Sequence, residues 1–154
     1  MYILMITFIM FVFPIVSILV DLFVFRSSTG IMFLVGKYFV LWAVGIRLFT
    51  AGLRQAVNPR FTAEKILEIQ GTEQFIIVQE LGFANLAMGA LGLSTMLFPN
   101  WLAPAALVGC LFFGLAGVRH IFSKERNLNE TGALISNLVM NCVLLISLVS
   151  TLKL

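Results

Sequence analysis

The chain has 154 residues, of which 60% are hydrophobic and only 11% charged, with a mean hydropathy of +1.05 and a net charge of +3. Soluble domains are nearly half apolar and about a quarter charged, so this composition excludes a water-soluble fold, whose surface would be one aggregation-prone patch. The positive excess does not point to nucleic acid, because the basic residues are scattered and lack both a run and interleaved aromatics.

A membrane-crossing helix needs about 20 mainly apolar residues. The first such segment runs from Tyr2 to about Phe25 and ends at "FRSSTG". It has no basic leader and no small-residue cleavage pattern before Arg26, so it reads as a retained span and not a signal peptide. The second runs from Ile31 to about Leu53, with Lys37 and Arg47 inside it. Lys37 is expected to pair with Asp21 of the first span. Asn58-Pro59 marks a turn, and Thr62, Glu64 and Lys65 open a short interfacial helix. The third span runs from about Phe75 to Phe98. The fourth covers Trp101 to Phe122, with Pro104 in its first turn. After the polar link "SKERNLNE", the fifth extends from about Gly132 to Leu152. The expected fold is an all-α integral membrane bundle of five transmembrane helices plus a short interfacial helix, in one domain.

With five spans, the second and fourth links share a side. They carry Arg54, Arg60, Lys65, Lys124 and Arg126, whereas the opposite side has Arg26 and Lys153. The positive-inside rule therefore predicts a cytoplasmic N-terminus. Cys110 and Cys142 form no CxxC pair and read as small apolar fillers. Asn129-Glu130-Thr131 matches a glycosylation sequon by chance, since a cytoplasmic link never meets the machinery.

The polar residues inside the spans carry the functional signal, because a charge at mid-membrane costs several kcal/mol. Arg47, Glu80, His120, Asn137 and Asn141 all fall toward the cytoplasmic half of spans two to five. One shared polar pocket would lower that cost. Helical phase places Glu80, Ala84, Ala87 and Leu91 on one face of span three. Gly82, Asn85, Gly89 and Gly92 share another, roughly 140° away. Gly109 belongs to a similar small-residue strip in span four. Such strips let helix backbones approach closely in lipid, and span three is expected to be the central helix. Each polar residue also has a plainer reading. Glu80 with Arg47 is then a structural ion pair, His120 and Arg119 are interface anchors, and the asparagines are interhelical links.

A single histidine cannot supply a bis-histidine haem or a His-rich metal site, and no metal is expected. There is no GxGxxG, P-loop, HExxH or GxSxG motif. Three functions stay open. The first is a pocket for a quinone, lipid or other amphipathic small molecule, built from Glu80, His120, Arg47, Asn85, Asn137 and Asn141. The second is a proton- or solute-conducting transporter or channel subunit using the same groups. The third is a structural or assembly protein in which Gly82, Gly89, Gly92 and Gly109 pack against a partner or a second copy.

The stretches "GIRLFTAGLRQAVNPRFTAEKI", "ELGFANLAMGALGL", "FGLAGVRHI" and "NETGALISNLVMN" resemble an uncharacterised group of small bacterial inner-membrane proteins. More distantly, they are similar to the DoxX-like four-helix proteins. The resemblance covers about residues 40 to 145, and it implies a four-helix core with span one added. It places the family's helix-borne glutamate at Glu80 and its helix-end histidine at His120. Where that family often carries a histidine before the "NP" turn, this chain reads "TAGLRQAVNP". Some DoxX-like proteins belong to quinone-linked redox complexes, so the resemblance implies a redox-complex subunit.

Overall fold

The computed structural model describes residues 2–65, 73–123 and 128–152, apart from the side chains of residues 2, 65, 73, 129 and 152. Lys124, Arg126 and Lys153, which enter the orientation argument, lie outside the described residues, as do the side chains of Lys65 and Asn129. Among the described residues there is no strand. Five helices are long and apolar enough to cross a membrane: Ile3–Phe23, Ile31–Val57, Gln74–Ser94, Pro99–Ile121 and Glu130–Thr151. Large apolar side chains such as Phe23, Leu97, Leu115 and Phe122 are exposed around the bundle, as lipid-facing positions are.

Three helix ends differ from the hydropathy reading, one being span five, which is helical from Leu128, ahead of Gly132. Span two continues past Leu53 to Val57 and stops at Asn58, whose φ of −134° and ψ of 68° lie outside the helical region. Pro59 forces this, because its ring disfavours a helical residue before it. Asn58 then caps the connecting helix Pro59–Lys65, its Oδ1 accepting the Phe61 N–H at 3.1 Å. That helix therefore starts with proline in its first turn, three residues before Thr62. Span three ends at Ser94, short of Phe98, and residues 95–97 form a turn.

The helices are not uniformly α. In span one a π-helical stretch, Phe8–Val12, precedes Pro14, which has no N–H to donate and crowds the carbonyl four residues back. In span two the π-helical stretch Val40–Leu48 covers nine residues and contains Arg47. π-helical geometry is rare, and its usual single-turn bulges are frequent at functional sites.

Span two, rather than span three, is central. In its apolar stretch 44% of residues are buried inside the bundle, against 28% in span three. Val40, Ala43 and Val44 of span two are fully buried and meet Met10, Phe113, Met140 and Leu144 from spans one, four and five. Spans two and three meet backbone to backbone. A Cβ at Gly52 would sit 2.6 Å from the Leu86 nitrogen, and one at Gly82 would sit 2.7 Å from the Ala56 nitrogen. Added carbons at Gly89 and Gly92 would collide with the backbones of Phe49 and Gly45, and one at Gly109 would meet Val44 and Leu144. Such approach maximises dispersion contact where lipid removes the hydrophobic drive between helices.

Span one is tied to span two by polar contacts. Lys37 Nζ donates to Asp21 Oδ2 at 3.1 Å, and Tyr38 donates its hydroxyl to the same oxygen at 2.6 Å. Trp42 Nε1 donates to Ser17 Oγ at 3.0 Å, and its ring packs on Phe13 at 4.7 Å between centroids.

Candidate ligand pocket

The extended C-terminal half of span two builds one wall of a cavity of about 290 Å³ at the bundle end that carries the second link. Arg47, Thr50, Ala51 and Arg54 recur at helical spacing, so they share one face and line this wall. Gln55 joins them from the same helix, Asn85 from span three and Thr62 from the connecting helix. The other flank is apolar, with Met5 and Ile6 of span one, Leu81 of span three and Phe112 of span four. A shallow cleft adjoins the pocket through Thr50 and Arg54 and reaches Asn58 and Phe61.

The polar groups lie at graded depth. Arg47 is about ten residues from the Val57 end, roughly 15 Å along the helix. Its guanidinium packs over the Phe113 ring at 5.2 Å from the centroid, a contact that compensates part of the cost of a deep cation. Arg54, about two turns nearer the end, packs over Phe61 at 5.2 Å. Between these levels Asn85 Nδ2 donates to Gln55 Oε1 at 2.7 Å. Asn85 and Thr62 are each 4% exposed, and Asn85 Oδ1 and Thr62 Oγ1 are buried without a hydrogen-bond partner among the described residues. Native proteins rarely leave such atoms unmet.

The expected single chamber joining all the intramembrane polar groups does not form, and the correction begins with Glu80. Span three turns its Gly82, Asn85 and Gly89 face onto span two. A residue 140° around the helix must then face outward, and Glu80, Ala84 and Ala87 are exposed. Glu80 does not line the pocket, and no ion pair to it occurs among the described residues. His120 is half-buried in the last turn of span four, and Arg119 beside it is exposed; neither lines the pocket. Asn137 and Asn141 lie instead on span five, where it packs on span four. There the Cys110 thiol donates to Asn141 Oδ1 at 3.0 Å, and a Cβ at Gly114 would lie 3.0 Å from that oxygen. Asn137 is buried, with its Oδ1 unpartnered among the described residues.

Of the sequence candidates, the pocket thus brings together Arg47 and Asn85. Thr50 and Gln55 carry no signal in the sequence, and Arg54 and Thr62 enter it only as a link charge and a helix start. The recurrence of Arg47, Ala51 and Arg54 on one helix face would have revealed the wall, had span two been continued to the proline. Among the described residues no group of three or more His, Cys, Asp or Glu side chains could hold a metal ion.

Five apolar helices around a shared core, with an amphipathic pocket at one end, define a helical integral-membrane protein. The chain belongs to a family of unknown function, DUF6790, whose model matches residues 4–153. No curated protein and no solved structure matches it.

Proposed function

We propose that the protein binds an amphipathic small molecule, a lipid or quinone-like compound, in the pocket between spans one to four. The observation that carries this reading is the pocket's division into a polar wall of Arg47, Arg54, Gln55 and Asn85 and an apolar wall of Met5, Ile6, Leu81 and Phe112. Ligand sites are largely apolar concavities with a few placed polar groups, and an intramembrane ionisable residue is by default a functional candidate. The volume, about 290 Å³, is at the small end for ligand pockets and suits a headgroup whose tail stays in the bilayer. Kinship with DoxX-like redox-complex subunits, residence in the bacterial inner membrane and a cytoplasmic N-terminus belong to the same proposal. On that orientation, the pocket opens to the cytoplasmic leaflet.

A conducting path finds less support. Between Lys37 and Arg47, span two presents the fully buried Val40, Ala43 and Val44, packed in one cluster with Phe113 and Met10. This buried apolar layer separates the pocket from the polar groups at the other end.

Ala51→Phe tests the proposal by filling the cavity from within its own wall. Protein purified in a mild detergent and extracted for mass spectrometry is expected to carry a stoichiometric amphiphile that the filled variant lacks. Equal extracts from both proteins would refute it.

A further inference from the structure

Asn85 Oδ1 and Thr62 Oγ1, buried without a partner among the described residues, say more about the occupant than the pocket's shape does. Asn85 donates one of its two amide N–H groups to Gln55, and its Oδ1 is an acceptor with no donor among the described residues. Thr62 Oγ1 can donate or accept. Both residues line the pocket and are each 4% exposed, so water does not freely compensate either atom and its desolvation stays unrecovered until a ligand arrives. An alcohol hydroxyl, which donates and accepts, matches both residues. A quinone carbonyl only accepts, and it leaves Asn85 Oδ1 unmet.

Charge narrows the class further. None of the described residues lining the pocket is acidic, and Arg54 stands where the pocket meets the outer cleft. Its guanidinium is a fork of donors suited to phosphate or carboxylate oxygens. On the apolar flank Met5 and Leu81 are themselves exposed at the bundle surface, so a tail can leave the pocket sideways into the bilayer.

We infer that the occupant is an anionic lipid whose headgroup carries alcohol hydroxyls, the hydroxyls meeting Asn85 and Thr62 and the anion meeting Arg54. This inference rests on the pocket reading above and specifies its ligand. It assigns recognition and no bond-making step.

The test is competitive binding to the purified full chain in neutral-detergent micelles. The probes are phosphatidylglycerol, phosphatidic acid, free glycerol 3-phosphate and a short-chain quinone. Phosphatidylglycerol is expected to bind about tenfold more tightly than phosphatidic acid, the worth of the added hydroxyl hydrogen bonds. Asn85→Ala and Thr62→Val should each shrink that preference, and the near-isosteric threonine variant guards against misfolding of the other. Arg54→Gln should weaken both anionic lipids and leave their ratio unchanged. Equal affinity for the two lipids, or binding of the quinone alone, overturns the headgroup assignment and leaves the pocket reading standing. Equal binding of free glycerol 3-phosphate overturns the lipid source. Binding of none of the probes, with no co-purifying amphiphile, overturns both.

Discussion

The two ends of span two hold polar groups in opposite conditions. Toward Ile31, Lys37 and Tyr38 converge on Asp21 with hydrogen bonds of 3.1 and 2.6 Å, and Asp21 is only 8% exposed. Donors and acceptor match there, and the cluster pins span one to the bundle. Toward Val57, Arg47, Arg54, Gln55, Asn85 and Thr62 border a cavity, and buried oxygens of Asn85 and Thr62 meet no described partner. Both ends carry the cost of polar groups in an apolar setting. One recovers it within the protein; the other, on the binding we propose, leaves part of it for a ligand to recover. Polarity inside a membrane bundle is therefore weak evidence of function until its hydrogen bonds are traced.

That contrast can be broken by substitution. The largest effect is expected from Gly89→Leu, whose side chain must enter the backbone of Phe49. It should destabilise the fold by about 3 kcal/mol or more and disrupt both ends together, as followed by thermal unfolding in micelles. Next comes Asp21→Ala, which strands Lys37 without its acceptor. A loss of about 2–3 kcal/mol is expected, below the range for fully buried pairs because Lys37 is partly exposed. Replacing both partners, as Asp21→Leu with Lys37→Met, should recover most of it. If the double variant stays as unstable as the single one, the cluster is more than a structural clasp.

Asn85→Ala sharpens the other side. It removes one interhelical hydrogen bond, worth about 1 kcal/mol or less in a membrane, and also an unmet acceptor. Its stability in ligand-free micelles should change by less than about 1 kcal/mol, while retention of amphiphile falls. A loss as large as that of Asp21→Ala would mean that the two ends are alike. The smallest effect is expected from Glu80→Gln. With Glu80 exposed and unpaired among the described residues, stability should move within about 0.5 kcal/mol and ligand retention not at all. Loss of retention in this variant would return Glu80 to the site.

The helical membrane character was legible before any coordinates, because hydropathy over 20-residue windows is a one-dimensional property. The pairing of Lys37 with Asp21 was also readable, since two opposite charges at one depth of neighbouring spans have few other partners. The fate of Glu80 was not. Helical phase showed two faces on span three, one with Glu80 and one with Asn85, but phase alone does not say which face meets a neighbour. The glycines did, by admitting the backbone of span two. Hydropathy falls at Leu53 and leaves Arg54 in a link, whereas the helix runs on until Pro59 stops it.

Composition and punctuation alone determined that this chain crosses a membrane as helices, how many there are, and which residues are costly to bury. Tertiary packing decided which helix is central, which polar residues face one another, and that a cavity remains between them. The physical reason is range. Propensity, turn chemistry and hydropathy act over a few residues, whereas the meeting of Gln55 with Asn85, and the outward turn of Glu80, depend on how two helices dock across glycine contacts.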